Sequence, residues 1–413
     1  MINIFKSLKE IDKLMLKHND YRENCLNLIA SENYINPVIR KYLDSDLVGR
    51  YGCYEGLEGE EREYTGNKYI KEIETKTQNL VKDIFKAKYC DLRPIGGHIA
   101  GVAAVLALTD PDDLIMEVVL ENWGHGLIEP MADTVEHFDR VFNVEAIPYQ
   151  ENQTIDTKKF IKEIEEKSPK LIILGSSGML FPEAVEEIAE AAKEVGAYLI
   201  HDSSHISGLI AGGVFPNPLE QGADAVFCST HKSFPGPQGG IILSNSKDIM
   251  LKVNEVMPSL VTSHHINRLP ALAAAILEMK KYGEKYGKQI IKNSKLLAKE
   301  LDRKGFKVLA KEEGFTESHL ILMDVSEFGG SYKTARKLEE SGILTSDDFG
   351  GPDREIRIGT AEITRRGMNE KDMNKVADFF ERVLINQEDR QSVVGDLKAY
   401  LKKFDQKSYC MEK

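Results

Sequence analysis

The spacing of apolar residues in the middle of the chain predicts alternating helices and strands. DTKKFIKEIEEKSP (156–169) has the 3.6-residue apolar spacing of a surface helix, and KLIILGSS (170–177) is an apolar strand ending in small residues. PEAVEEIAEAAKEVG (182–196) predicts a helix with Pro182 near its start and Gly196 at its end. AYLIHDSSH and ADAVFCST add two strands. This alternation predicts an α/β fold with a mostly parallel sheet buried on both faces.

The pattern changes beyond about residue 270. A long helical tract (270–305) leads into the strand HLILMDVS, a helix YKTARKLEESG, the strand IRIGTAE and a final helix. We therefore expect an N-terminal helical arm over 1–45, a large domain over 46–270, and over 271–413 a connecting helix, a smaller α/β domain and a helical tail.

Length, charge and cysteine usage narrow the class of protein. A chain of 413 residues suits a two-domain enzyme. The net charge of -12 argues against nucleic-acid or anionic-membrane partners, and no apolar run reaches the ~18 residues that span a bilayer. Five scattered cysteines without a CxxC pair, and an N-terminus without a secretory apolar core, predict a reduced cytoplasmic protein without a metal site.

Polar residues follow two of the predicted strands. Lys232 lies in FCSTHKSFPGPQGG, just after the strand 225–228, and Asp202 follows YLIH, three residues before His205. Carboxyl ends of neighbouring parallel strands share a crevice, and a lysine with an acidic partner suits pyridoxal phosphate. The alternative is that Lys232 is a surface charge, while Asp202 caps a turn and His205 packs in the core.

Three further segments suit the same ligand chemistry. Gly96 and Gly97 precede a helix whose unpaired amide groups would bind a phosphate. His125 in ENWGHG is either a ring that stacks on the cofactor or an ordinary loop residue. Arg357 lies in an otherwise apolar strand, where it binds either a substrate carboxylate or an internal acidic group.

Six segments together resemble the serine hydroxymethyltransferases, which are pyridoxal-phosphate enzymes with the aspartate-aminotransferase-like fold. In the order found in that family, they are LNLIASEN (26–33), RYGCYEG (50–56), NKYIKEIE (67–74), HDSSHISGLIAGG (201–213), STHKSFPGPQGG (229–240) and IRIGTAEITRRGM (356–368). The resemblance covers nearly the whole chain.

The resemblance implies a role for each matching residue. Lys232 would carry the cofactor, Asp202 would face its pyridine nitrogen, and Arg357 would bind the amino-acid carboxylate. Glu55 would move protons between substrate and pterin. The other implied site residues are His205 and Ser177 near the phenolic oxygen, His125 stacked on the ring, Gly96, Gly97, His98 and His231 around the cofactor, Thr230 beside the catalytic lysine, and Ser31, Tyr51, Tyr64, Leu120 and Trp123 around the substrates. In this family the tyrosines come from the partner subunit of a homodimer.

Several positions depart from the family pattern. Gly96, Gly97 and His98 replace a Ser-Gly-Ser phosphate loop, and an extra residue leaves Tyr51 and Tyr54 as rivals for one role. Thr262 and Ser263 stand where a Gly-Gly pair usually reaches the neighbour's phosphate. Trp123 replaces a glycine, and the loop from Leu344 to Asp353 is short. We expect from the last two changes a rebuilt pterin pocket that prefers a modified pterin.

The implied reaction converts serine to glycine and passes the one-carbon unit to a reduced pterin, either tetrahydrofolate or tetrahydromethanopterin. The alternative is a pterin-independent aldolase acting on threonine-like amino acids, which the altered pterin side favours and the intact Glu55 disfavours. A non-catalytic protein on this scaffold would have lost Lys232 or Arg357, and both are present.

Overall fold

The computed structural model describes residues 4–57, 59, 61–128, 143–347, 353–404 and 406–412. The α-helices of these residues are α1 (Ile4–Glu23), α2 (Pro37–Arg40), α3 (Lys68–Phe85), α4 (Gly97–Leu108), α5 (Thr157–Lys167), α6 (Val185–Val195), α7 (Ser207–Ala211), α8 (Lys247–Leu260), α9 (Arg268–Arg303), α10 (Ser331–Glu340), α11 (Ala361–Arg365), α12 (Met373–Leu384) and α13 (Arg390–Leu401). The β-strands are β1 (Leu26–Asn27), β2 (Tyr54–Glu55), β3 (Glu61–Arg62), β4 (Tyr89–Asp91), β5 (Leu114–Glu117), β6 (Asn143–Ala146), β7 (Leu171–Leu174), β8 (Tyr198–Asp202), β9 (Ala225–Ser229), β10 (Gly240–Ser244), β11 (Lys307–Val308), β12 (Leu320–Asp324), β13 (Ile343–Leu344) and β14 (Glu355–Gly359).

The central sheet has seven strands in the order β4-β10-β9-β8-β7-β5-β6. Strands β9, β8, β7, β5 and β6 pair in parallel, which confirms the prediction of a mostly parallel sheet. Strand β10 is antiparallel to both of its neighbours. Its reversal follows from its connection, because the loop 230–239 returns the chain directly beside β9 instead of crossing the sheet through a helix.

Alternate residues of β9 enter two different cores, as the two-residue period of a strand requires. Val226 and Cys228 pack in a cluster that also contains residues of α3, α7 and α9. Ala225 and Phe227 pack in a second cluster on the opposite face, with α4 and α8. Helices therefore cover both faces, and the loops at the carboxyl ends of β8 and β9 are held between two packed layers.

The second region is built on an antiparallel sheet of β11, β12 and β14, in which Leu322 lies opposite Arg357. Helix α9 joins the two regions, because Leu269 and Ile290 pack in the large-domain core while Leu297 packs in a core with β12 and β14. The division of the chain at residues 45 and 270 stays a prediction.

Two local expectations differ from the structure. Helix α6 begins at Val185, three residues after Pro182, and ends at Gly196 with a φ of 74°. The predicted helical tail has helix only through α13 and a short 3-10 turn (Lys402–Phe404). Residues 406–412 are extended or turned because their amides bind elsewhere: Ser408 N donates to Arg365 O (2.8 Å) and Met411 N to Glu278 Oε2 (2.6 Å).

Two expectations from the sequence are reduced cysteines and the absence of a membrane-spanning segment. All five cysteines lie in the described residues, and none of them forms a disulfide. In the part of the chain that the structure describes, no helix is both long enough and apolar enough to cross a membrane.

Candidate active site

Lys232 lies in the loop that follows β9, and neighbouring residues fix this loop. The amides of Thr230 and Gly236 donate to Gly239 O and Thr230 O, and the Thr230 hydroxyl donates to Pro237 O (2.5 Å). Asn33 Nδ2 donates to the carbonyl of Lys232 itself (2.7 Å). Hydrogen bonds therefore fix the backbone before Lys232, after it and at Lys232 itself.

The Lys232 amine has an environment suited to a nucleophile. Its Nζ lies 3.2 Å from Nε2 of the buried His205. Burial lowers the pKa of Lys232 to about 8; the nearby Asp202 carboxylate opposes this shift, and Arg357 adds to it. An amine with this pKa is partly neutral near neutral pH, and the neutral form is the one that attacks a carbonyl.

Asp202 ends β8 and begins a chain of polar contacts. Its Oδ1 accepts the amide of Ser204 (2.8 Å), and its Oδ2 lies 3.7 Å from His125 Nδ1. His125 Nε2 is 3.1 Å from His98 Nδ1, at the first turn of α4. Burial lowers the pKa of His125, while Asp202 acts in the opposite direction. The structure thus brings together three residues that the sequence assigned to cofactor binding.

The N-terminus of α4 has the form of an anion cradle. Gly96 is its N-cap in extended conformation, and no side chain caps the first amides. A Cβ on Gly97 would lie 3.1 Å from both Ser204 Oγ and Ser229 N, so only glycine lets the helix start this close to β8 and β9. Among the buried side-chain atoms here, Ser229 Oγ has no hydrogen-bond partner.

Arg357 lies on β14 and is directed at the same region. Its Nη1 donates to Ser177 O (2.8 Å), and its buried Nε has no partner. Burial lowers the pKa of Arg357 to about 10, and Asp347 partly offsets that shift, so the guanidinium stays charged at neutral pH. A cavity of about 340 Å³ is lined by Arg357, Ser31 and Ser346 among others. Its size and charge suit a small carboxylate ligand.

A second cavity of about 550 Å³ is lined by His231 and also by Ser31, which borders both cavities. His231 Nδ1 is buried without a partner, and burial lowers the pKa of this imidazole to about 4. The cavity on the Arg357 side and the cavity beside His231, which precedes Lys232, therefore share Ser31 in their walls.

The remaining predicted residues lie apart from this cluster. Tyr51 and Tyr64 are each 49% exposed, with ring centroids 5.4 Å apart, and they border a different cavity. Glu55 is exposed in β2, while the adjacent Tyr54 is only 4% exposed and lies between the guanidinium groups of Arg62 and Arg93. This arrangement leaves Tyr51, and not Tyr54, available at the surface.

Trp123 requires a correction. The sequence predicts Trp123 beside the substrates in a rebuilt pterin pocket, but the indole is 2% exposed and packs with Ala30, Leu180 and Leu322. Contacts across the fold bury it, since its Nε1 donates to Glu355 Oε2 (2.8 Å). The neighbouring Leu120 is half-buried beside Gly126. Half of the loop from Leu344 to Asp353, residues 348–352, lies outside the described residues.

Sequence reasoning did not assign two residues that contact this cluster. His319 is fully buried and stacks on His205 with ring centroids 5.6 Å apart. Neither of its ring nitrogens has a hydrogen-bond partner, and burial lowers its pKa to about 3. Asn33 supports the Lys232 carbonyl. A histidine at the head of the strand HLILMDVS and an asparagine ending LNLIASEN were the available signals.

These residues fit pyridoxal phosphate as a set. A half-buried lysine of lowered pKa, a carboxylate at the next strand end, an uncapped helix N-terminus and a guanidinium with an unpartnered Nε match its aldehyde, pyridine nitrogen, phosphate and bound amino acid respectively. Within the described residues, no group of three His, Cys, Asp or Glu side chains is arranged to hold a metal ion.

Comparisons with known proteins agree with this chemistry. The family model for serine hydroxymethyltransferase matches residues 4–380. The serine hydroxymethyltransferase of Methanothermobacter marburgensis is 40% identical over 418 residues, covering 98% of this chain and 96% of the relative. That of Methanopyrus kandleri is 39% identical over 409 residues, covering 95% and 92%.

A solved structure shows the same architecture. The crystal structure of L-threonine transaldolase from Pseudomonas fluorescens superposes with a TM-score of 0.90 at 29% sequence identity, covering 99% of this chain and 96% of that one. The predicted aspartate-aminotransferase-like fold is thereby confirmed. The chain belongs to the serine hydroxymethyltransferase family of pyridoxal-phosphate-dependent transferases.

Proposed function

We propose that the chain binds pyridoxal phosphate at Lys232, converts serine to glycine and passes the one-carbon unit to a reduced pterin. One observation carries the proposal: the Lys232 amine contacts His205, and its pKa responds to both Asp202 and Arg357. A nucleophilic amine, an acid and a carboxylate-binding cation thus share one site. The bound cofactor supplies an electron sink for the bond that breaks at the serine Cα.

The residues around the cofactor hold and orient it. The Asp202 carboxylate would keep a proton on the pyridine nitrogen of the bound cofactor, and the His125 ring would stack on it. The amides of Gly97 and His98, following the Gly96 cap, would bind the phosphate at the start of α4, where His98 replaces the usual serine hydroxyl. His205, which contacts the Lys232 amine, and Ser177 would lie near the phenolic oxygen.

The residues around the substrate orient it and move protons. Arg357 binds the serine carboxylate with help from Ser31, which shares its cavity. Glu55 carries protons between substrate and pterin. Thr230 acts through the Lys232 loop, because its hydroxyl is taken by Pro237 O. His231 borders the second cavity, and Leu120 would contact the substrates as the family resemblance implies.

A homodimer completes this site in our proposal. Tyr51, Glu55 and Tyr64 are at the surface of a single chain, where a second copy brings them to the Lys232 of its partner. Helix α1 supports the same assembly, because none of its residues is buried and apolar side chains such as Phe5, Leu8 and Leu16 are more than half exposed. With no disulfide among its cysteines, the protein suits the reducing cytoplasm.

The acceptor experiment tests the proposal. Purified holoenzyme is given serine with tetrahydrofolate, with tetrahydromethanopterin or with no pterin, and glycine formation is measured. We expect at least one pterin to accelerate glycine formation. Threonine cleavage in the absence of any effect of either pterin on serine would instead establish the pterin-independent aldolase. The buried position of Trp123 removes one of the two grounds for preferring the modified pterin and leaves the short loop from Leu344 to Asp353 as the other.

A further inference from the structure

The loop that carries Trp123 is fitted closely to its surroundings. Trp123 follows a short 3-10 turn (Leu120–Asn122) and has a φ of 60°, which is uncommon for a bulky residue. A Cβ on Gly178 would lie 2.6 Å from Trp123 Cβ, and one on Gly124 would overlap Val118 O at 1.6 Å. Gly178 makes room for the Trp123 side chain, and Gly124 lets the loop backbone pass close to Val118, so the loop determines where the indole lies.

Trp123 contacts two charged residues of β14, the acidic Glu355 and the basic Arg357. Its Nε1 donates to Glu355 Oε2, and its ring lies 5.4 Å from the guanidinium carbon of Arg357. Its carbonyl accepts the amide of Ser177 (2.6 Å), whose own carbonyl accepts Arg357 Nη1. One residue is thereby linked to Arg357 along two routes, through the ring face and through the backbone of Ser177.

Glu355 and Arg357 are two residues apart on one strand, so their side chains leave the same face. Such a pair is suited to an internal ion pair, which was the alternative for Arg357 at the outset. The structure shows Glu355 bound instead to Trp123 Nε1 and to Arg354 Nε (3.1 Å). In the described part of the chain, no carboxylate lies within 4 Å of the Arg357 guanidinium.

We propose that Trp123 is a positioning residue for the amino-acid carboxylate: its N–H holds Glu355 away from Arg357, and its ring face supports the guanidinium. The proposal rests on the proposed role of Arg357. An unpaired buried guanidinium is costly, and the ring face supplies part of the missing compensation without using a hydrogen-bonding position. Arg357 thus keeps its unpartnered Nε available for the substrate carboxylate, while Nη1 is bound to Ser177 O.

The test separates the two functions of the indole. Trp123→Phe keeps an aromatic face but loses the N–H, which frees Glu355 to compete for Arg357. We expect serine and glycine to bind the variant holoenzyme roughly tenfold more weakly by calorimetry, the scale of one charge-assisted contact, with KM raised more than kcat is lowered. Serine methyl ester, which lacks the carboxylate charge, should bind native and variant proteins alike.

The rescue variant makes the experiment decisive. Adding Glu355→Gln to Trp123→Phe removes the competing charge and should restore most of the lost serine affinity, a coupling that a double-mutant cycle measures. Equal losses for serine and its ester, or no rescue by Glu355→Gln, would show that Trp123 only fills space. If native holoenzyme binds neither serine nor glycine, the proposed function itself fails, whatever the variants do.

Discussion

The two halves of the proposed site differ in how much of each a single chain builds. Around Lys232 and Arg357 the polar groups are buried, their backbone is fixed by hydrogen bonds, and their pKa values are shifted. Around Tyr51 and Tyr64 the side chains are half exposed and border another cavity. Cofactor and amino-acid chemistry therefore depends on the fold of one chain, whereas in our proposal proton transfer to the pterin depends on assembly.

The largest loss of serine turnover is expected from substitutions of one essential residue in either half of the site. Lys232→Gln removes the amine that carries the cofactor, and Glu55→Gln removes the proposed proton carrier, so each homodimer should lose serine turnover by orders of magnitude. Borohydride reduction should fix the cofactor in the Glu55→Gln protein but not in the Lys232→Gln protein.

Hybrid dimers test whether these halves come from different chains. A hybrid of Lys232→Gln and Glu55→Gln subunits, purified with two affinity tags, has one intact site and should recover about half of the native turnover per dimer. The matched control combines Lys232→Gln with Arg357→Lys, two defects of the same half, and at serine concentrations well below saturation it should show only the residual turnover of the Arg357→Lys site. No recovery in the first hybrid would place Glu55 in the site of its own chain.

Substitutions of two neighbouring tyrosines, Tyr54 and Tyr51, should have different effects, one on stability and the other on activity. Tyr54 is buried between two guanidinium groups, so Tyr54→Ala should lower the free energy of unfolding by about 3–5 kcal/mol, the usual cost of deleting a buried ring. Tyr51→Ala should change that free energy by less than about 0.5 kcal/mol, because the ring is exposed, while lowering kcat. Denaturant unfolding and serine turnover of both variants decide the question. The reverse pattern would make Tyr54 the active-site tyrosine.

These residues show what the sequence could predict. The strand-and-loop pattern located Lys232 and Asp202, because parallel strands bring their carboxyl ends to one edge whatever the details of packing. It could not choose between Tyr51 and Tyr54, since burial depends on how the short strand β2 packs against Arg62 and Arg93. The partners of Trp123 and His319 lie far away in the chain, at Glu355 and His205, and no local pattern reveals such contacts.

A smaller effect is expected at the amino-acid end of the buried half. Arg357→Lys keeps the charge but loses the planar fork, so serine should bind more weakly by about 1.5–3 kcal/mol, or roughly 10–100-fold. Cofactor affinity serves as the control and should be nearly unchanged, because Arg357 is not among the groups assigned to the cofactor. Calorimetric titration with serine and with cofactor measures both. Unaltered serine affinity would remove Arg357 from its proposed role.

The smallest expected effect concerns the buried imidazole behind His205. Burial lowers the pKa of His319 to about 3, against about 6.5 in an unfolded chain, so below pH 6.5 the unfolded state binds a proton that the folded state excludes. The stability that comes from keeping His319 neutral is fully present above pH 6.5 and is lost as the pH falls towards 3. At pH 5 the free energy of unfolding is lower by about 2 kcal/mol for this reason. In His319→Gln the free energy of unfolding should therefore fall less between pH 7 and pH 5 than in the native protein. His265→Asn, which changes an exposed histidine and keeps a residue type that tolerates its φ of 51°, is the matched control. Identical pH slopes for native protein and His319→Gln would mean that His319 takes up its proton within the folded site, and the buried half would then respond to pH no differently from the exposed half.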